Sequence, residues 1–248
     1  MISGPRAILL FATLLVVASG LAFGLSRLYA PARALDLTPQ AEYVTAPVPV
    51  SADQPAASPV TGQLVDQAWL ERTARRTGIP VPALRAYADA QISGVGGCDL
   101  GWTTMAGIGW VESHHGTIDG RTLDLDGRST PLVIGPALDG RGPVAAIRST
   151  PESAAWHGDD TWEHAVGPMQ FLRSSWDDWA ADGDADGDAD PNDLDDAAAT
   201  AARYLCASGQ DLDSGTSWAA AILSYNHAQE YVDAVQAAAS TYAERAGS

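Results

Sequence analysis

The chain has 248 residues, room for one sizeable domain or two small ones, and 46% of them are hydrophobic, enough for a packed core. Its formal net charge of −17 excludes nucleic acid as a ligand, because no basic stripe is present to neutralise phosphates. The same balance speaks against simple electrostatic adhesion to an anionic cell surface, although much of the excess lies in one stretch, Asp177 to Asp196.

Arg6 precedes an apolar or small stretch without charge, Ile8 to Leu25. Such a run predicts a signal peptide or an N-terminal membrane anchor over residues 1–34. Ala32-Arg33-Ala34 has the small-x-small pattern of a cleavage site, so cleavage and retention both stay open. Either places the remainder outside the cytoplasm, secreted or facing the cell wall from the membrane. Residues 35–62, with Pro39, Pro47, Pro49, Pro55 and Pro59 among Ala, Val, Ser and Thr, predict an extended linker. The folded domain is expected over 63–248. Its two cysteines, Cys98 and Cys206, would pair in an oxidising compartment, and their spacing excludes a CxxC motif.

Apolar spacing predicts a helix from Leu64 that stops at Gly78-Ile79-Pro80, then a second from Ala83 to Ile92. A third is expected from Thr103 to Ser113. Residues 116–163, rich in Gly, Asp, Pro and Thr, predict an irregular lobe with room for a small hairpin. Helices resume at Ser174–Ala181, Asp195–Ala207, Ser217–Leu223 and Gln229–Glu244. The expectation is one mainly α domain (α+β) with an irregular insertion.

Four constellations carry chemistry. Glu112 stands late in an apolar run, Gly107 to Gly116, and desolvation there would raise its pKa. A carboxylic acid protonated near neutral pH can donate to the leaving group of a glycosidic bond. In Ala165-Val166-Gly167-Pro168-Met169-Gln170-Phe171, Gly-Pro predicts a tight entry to a short helix that leaves Met169 and Gln170 facing a groove. Gln170 offers a donor and an acceptor to a sugar. Ser224-Tyr225-Asn226, with Tyr231 beyond, supplies aromatic and amide groups for a saccharide, and a phenol that could brace a carboxyl. Asp182-Gly183-Asp184-Ala185-Asp186-Gly187-Asp188 matches the opening of an EF-hand-like calcium loop. Oxygens at positions one, three and five converge, glycine at six turns the chain and position seven gives its carbonyl. Closure at Asp193 or at Asp196 is equally open on chemistry.

Together these segments resemble the lytic murein transglycosylases, in particular the compact actinobacterial secreted or membrane-anchored form with an MltB-type catalytic domain. The resemblance covers about Gln63 to Ala246. It implies a lysozyme-like fold, peptidoglycan glycan strands as substrate and Glu112 as the sole catalytic acid and base. It also implies that Ser113 orients the acid or a substrate N-acetyl group, and that Met169, Gln170, Tyr225, Asn226 and Tyr231 line the groove. For the metal it implies structural Ca2+ held by Asp182, Asp184, Asp186, the carbonyl of Asp188, and Asp196, with no organic cofactor. His164 and Arg173 depart from the pattern, where arginine and proline are usual. The expected reaction cleaves the MurNAc-β-1,4-GlcNAc bond without water and leaves 1,6-anhydro-MurNAc ends, by a monomer that meets the membrane only through an uncleaved N-terminal segment. The rivals are a muramidase-type hydrolase and a non-catalytic wall-binding protein.

Overall fold

A computed structural model describes residues 46–50, 65–94, 98–142, 144–208, 211–212 and 215–247. The expected signal or anchor over 1–34 lies outside them. Among the described residues no helix is long and apolar enough to cross a membrane.

The domain is mainly helical, as expected, and its order follows local signals. Helix α1 (Gln67–Thr77) is started by Asp66, whose side chain accepts from the Trp69 amide at 2.7 Å, and ended by Gly78 at φ 79°. Pro82 sits in the first turn of α2 (Val81–Ser93). Helix α3 (Trp102–Ser113) is apolar around most of its circumference, and Trp102 through Gly109 are all buried. A helix without a polar face belongs inside, and α3 runs through the centre. Its glycines let neighbours approach. A Cβ on Gly107 would lie 2.7 Å from the Val235 carbonyl oxygen, and one on Gly109 would collide with the Tyr87 hydroxyl.

The irregular lobe contains the small hairpin, β1 (Thr122–Leu123) against β2 (Ser129–Thr130). It also contains α4 (Pro151–His157), which the apolar pattern does not reveal. The signal for α4 is its cap: Thr150 and Ser153 form a reciprocal capping box, followed by Pro151 and Glu152 in the first turn. Antiparallel bridges Ile134–Val166 and Arg148–Trp162 fold the lobe back onto the segment that follows α4. Then come α5 (Arg173–Trp179), α6 (Leu194–Leu205), α7 (Gly215–Tyr225) and α8 (Gln229–Gly247), with α8 packed along α3 and α6 against α2.

Residues 46–50, expected within the linker, lie against the domain instead. Val50 bridges Val65, and Gln91 donates to the Ala46 carbonyl at 3.1 Å. Ala46 and Val48 pack on the core.

Cys98 and Cys206 are joined, tying the chain ahead of α3 to the end of α6 across 108 residues. In the loop-entropy account such a link contributes about 4 kcal/mol. Cys206→Ser should therefore lower Tm by roughly 10 °C in calorimetry. Coincident melting of variant and parent would contradict that.

Candidate active site

Glu112 occupies the last turn of α3, and the chain leaves that helix sharply. His114, His115 and Gly116 have φ of 51°, 60° and 81°, three left-handed residues in succession. Ser113 fastens this turn. It is wholly buried, donates from Oγ to the Pro168 carbonyl at 2.5 Å and accepts from the Gly116 amide at 2.7 Å. Ser113 thereby clasps the α3 turn to the Gly167-Pro168 segment.

Behind the turn is a polar chain that the sequence did not single out. His115, 2% exposed, bonds Tyr87 through Nδ1 at 3.2 Å and Tyr242 through Nε2 at 2.8 Å. Burial pushes its pKa down to about 3, helped by His114. A neutral imidazole both donates and accepts, which suits a hydroxyl on either side. His115 thereby links α2, the α3 turn and α8.

Glu112 is partly enclosed. The Tyr231 hydroxyl donates to its Oε1 at 2.5 Å, and Tyr231 stacks nearly parallel to Tyr225, centroids 6.4 Å apart. Burial raises the Glu112 pKa to about 7, and the Tyr231 hydrogen bond acts in the opposite direction. The negative end of the α3 dipole also disfavours the anion. Among the described residues no other carboxylate enters this balance. Trp110 does not share the face of α3 that carries Glu112. Two residues earlier on a helix is ~200° away, and Trp110 stacks instead on His114 at 4.2 Å with 44% of its surface exposed.

The Val166–Phe171 bridge closes a turn over residues 167–170, so Gly-Pro-Met-Gln does not open a helix; α5 starts only at Arg173. Gly167 takes φ 78° with its Cα against the Pro191 carbonyl, where no Cβ would fit. Gln170, at φ 54°, donates from Nε2 to the Gly167 carbonyl at 2.9 Å and borders a depression of about 90 Å3 with Ser175, Tyr204 and Tyr225. Met169 is fully buried, so its thioether lies in the core rather than in a groove. Tyr225 donates to the Met169 carbonyl at 2.8 Å, which commits its hydroxyl to the turn. Asn226 is exposed just past α7. His164 bonds the Gly135 carbonyl at 2.7 Å and Asp159 at 3.2 Å.

The aspartate loop precedes α6. Ligand oxygens of Asp182, Asp184 and Asp196 lie within 4.8 Å of one another. Asp196 is 2% exposed and accepts from the amides of Gly183 at 2.7 Å and Asp190 at 2.9 Å. Asp193 serves elsewhere: it caps α6 through the Asp195 amide at 2.9 Å and faces Arg128 at 3.8 Å. Gly187 turns the chain at φ 97°. Asp186 and Asp188 are exposed beside the cluster, the Asp186 carboxylate accepting from the Asp188 amide at 2.8 Å. Burial first, then neighbouring aspartates, raise the Asp196 pKa to about 6. This oxygen-only donor set, gathered against mutual repulsion, fits a hard divalent cation.

Losing the Tyr231 hydroxyl removes, among the described residues, the one contact that favours ionised Glu112. Tyr231→Phe should move the alkaline limb of the pH–rate profile above about 7 and lower kcat roughly tenfold or more. An unmoved limb would contradict a direct role for the phenol.

Residues 154–222 match the family model described as the transglycosylase SLT domain. The matched stretch takes in the 167–170 turn, the aspartate loop, α6 and most of α7, and it is consistent with a lytic transglycosylase; Glu112 lies outside it. No curated protein and no solved structure matches the chain.

Proposed function

With a transglycosylase SLT domain over residues 154–222 as premise, we propose that this chain is a lytic transglycosylase of the MltB type, cleaving the MurNAc-β-1,4-GlcNAc bond of peptidoglycan without water. The domain match supports a peptidoglycan substrate in general, and the finer reading rests on Glu112. The observation that carries it is one partly enclosed carboxyl, its pKa raised to about 7, held by a phenol and, among the described residues, perturbed by no second carboxylate.

In this mechanism Glu112 starts protonated and gives its proton to the glycosidic oxygen, which leaves as a hydroxyl. The carbonyl oxygen of the substrate's own N-acetyl group bonds to C1 as that bond breaks. Glu112, now a carboxylate held by Tyr231, takes the proton of the muramyl 6-hydroxyl. The 6-oxygen attacks C1, expels the acetamido oxygen and closes the 1,6-anhydro ring. Burial favours the acid of the first step, and the phenol favours the base of the second. A retaining hydrolase would place a nucleophilic carboxylate ~5 Å away, close enough to perturb Glu112.

The loop belongs to the same reading. Asp182, Asp184 and Asp196 would hold a calcium ion, with Asp186 and the Asp188 carbonyl as further ligands. The ion would neutralise the loop and fix the entry to α6, outside the chemistry. The N-terminal apolar run supports export, toward the compartment where murein lies.

Mass spectrometry of digested murein tests the reaction. Anhydro-muropeptides, one water lighter than hydrolysed products, are expected. Reducing MurNAc ends alone would replace the transglycosylase with a muramidase.

A further inference from the structure

Helix α8 turns a stripe of buried residues toward α3 and the turn that follows it: Tyr231, Val235, Ala239 and Tyr242, spaced four, four and three residues apart. The two helices meet closely in the middle of that stripe. A Cβ on Gly107 would lie 2.7 Å from the Val235 carbonyl oxygen and 3.3 Å from the Ala239 amide nitrogen, so the absent side chain sets the crossing point. On either side of the crossing α8 carries a phenol, the two separated by ~16 Å along its axis. Tyr231 donates to Glu112 at 2.5 Å, and Tyr242 bonds Nε2 of His115 at 2.8 Å.

The Tyr242 contact is built into the core. His115 is buried, and its Nδ1 meets the Tyr87 hydroxyl at 3.2 Å. Tyr87 is wholly buried in α2, and its hydroxyl takes the space that a side chain on Gly109 would need. Glycine weakens a helix, yet here it admits the hydroxyl–imidazole–hydroxyl chain. The groups facing His115 are Tyr87 from α2, Tyr242 from α8, and Trp110 and His114 from its own segment. Burial holds the imidazole neutral above about 3. Burial likewise pushes Tyr242 up to about 12, against the opposing charge of Arg245 on the same helix, and raises Tyr87 further still. The chain therefore keeps its protons through the range in which Glu112 exchanges its own.

We propose that Tyr242 and His115 are positioning residues for the reaction: by fixing one arm of α8 they hold the other arm, with Tyr231, at Glu112. Neither residue bonds the acid. With Gly107 at the pivot, loss of the Tyr242 bond frees one arm, and α8 can then tilt until the Tyr231 contact lengthens. A short hydrogen bond loses strength as it lengthens and bends, so a small tilt is enough to change the proton affinity of the acid. This role rests on the reading of Glu112 as the acid and base.

The test follows Glu112 in the parent, Tyr242→Phe, Tyr231→Phe and the double variant, by the pH profile of murein cleavage and by NMR titration of the Glu112 carboxyl carbon. Phenylalanine keeps the buried ring and removes only the hydroxyl. Tyr242→Phe should move the titration upward from about 7, as Tyr231→Phe should, and lower kcat about threefold to tenfold. The double variant should match Tyr231→Phe within about twofold, because Tyr242 acts only through the phenol at the acid. Tyr87→Phe cuts the same chain at its other end and should act in the same direction, so either variant carries the test. Cys206→Ser, destabilised away from Glu112, should keep the parent's titration, which separates positioning from a general loss of stability. An unmoved carboxyl in both Tyr242→Phe and Tyr87→Phe overturns the proposal, and so does a double variant whose losses multiply. If murein yields only reducing ends, or is not cleaved, the transglycosylase reading fails, and the NMR titration still decides the positioning.

Discussion

Glu112→Gln is expected to lower kcat on murein by about 10³-fold or more while sacculus binding persists. Glutamine preserves shape and polarity but can neither give nor take the proton, and acid–base catalysis by one group contributes about 10²–10⁴. Here one group serves two steps, so the loss should lie at the upper end. The parent's own pH profile supplies the control. Because burial raises the carboxyl to about 7, the free enzyme holds its acid form below that pH. kcat/KM should therefore fall as pH rises through about 7. Stability carries the same sign: a carboxyl whose folded pKa lies above its unfolded one destabilises the fold as pH rises from the ordinary glutamate range through about 7. Glu112→Gln removes that loss and should melt above the parent at alkaline pH. A variant that keeps the parent's activity would remove Glu112 from the mechanism.

Calcium should raise the parent's Tm, and Asp196→Asn should abolish the shift. At one hundred times Kd, a cation that binds only the folded state adds about 2.7 kcal/mol, roughly 5–10 °C for a domain of this size. Asp196 is the position to change because it is the buried member of the cluster. Asp193→Asn is the contrast, since Asp193 caps α6 and faces Arg128. That variant should lose some stability with and without metal, yet keep the calcium-dependent increment. A parent whose melting ignores calcium, or an Asp196→Asn protein that still responds, would remove the metal from this loop.

Most helices were legible in the residues, because apolar spacing and caps are local. The spacing stops α1 at Gly78 and marks α3 as apolar around most of its surface. Helix α4 was missed because it is short and buries little, although Thr150-Pro151 announced it. Gly-Pro serves a helix entry and a tight turn equally, so the motif by itself does not select the 167–170 turn. What selects the turn is the pairing of Val166 with Phe171 and the approach of Pro191, both set by contacts outside the motif.

The direction of the site side chains was less legible than their identity. Ser113, Met169 and Tyr225 belong to the motifs, yet each spends its hydroxyl or side chain holding the turn beside Glu112. Tyr231 alone among the expected groove residues touches the acid, from a helix 119 residues further along the chain. Residue types and order were enough to single out Glu112, the aspartate run and the cysteine pair as candidates, since each depends on chemistry local to its segment. Which phenol meets Glu112, which aspartate joins the loop and which groups stay exposed depend on α8 crossing α3 and on α6 meeting the loop. Those contacts join residues far apart in the chain, and burial alone determines whether a given hydroxyl or carboxyl is spent on the fold or left for a ligand.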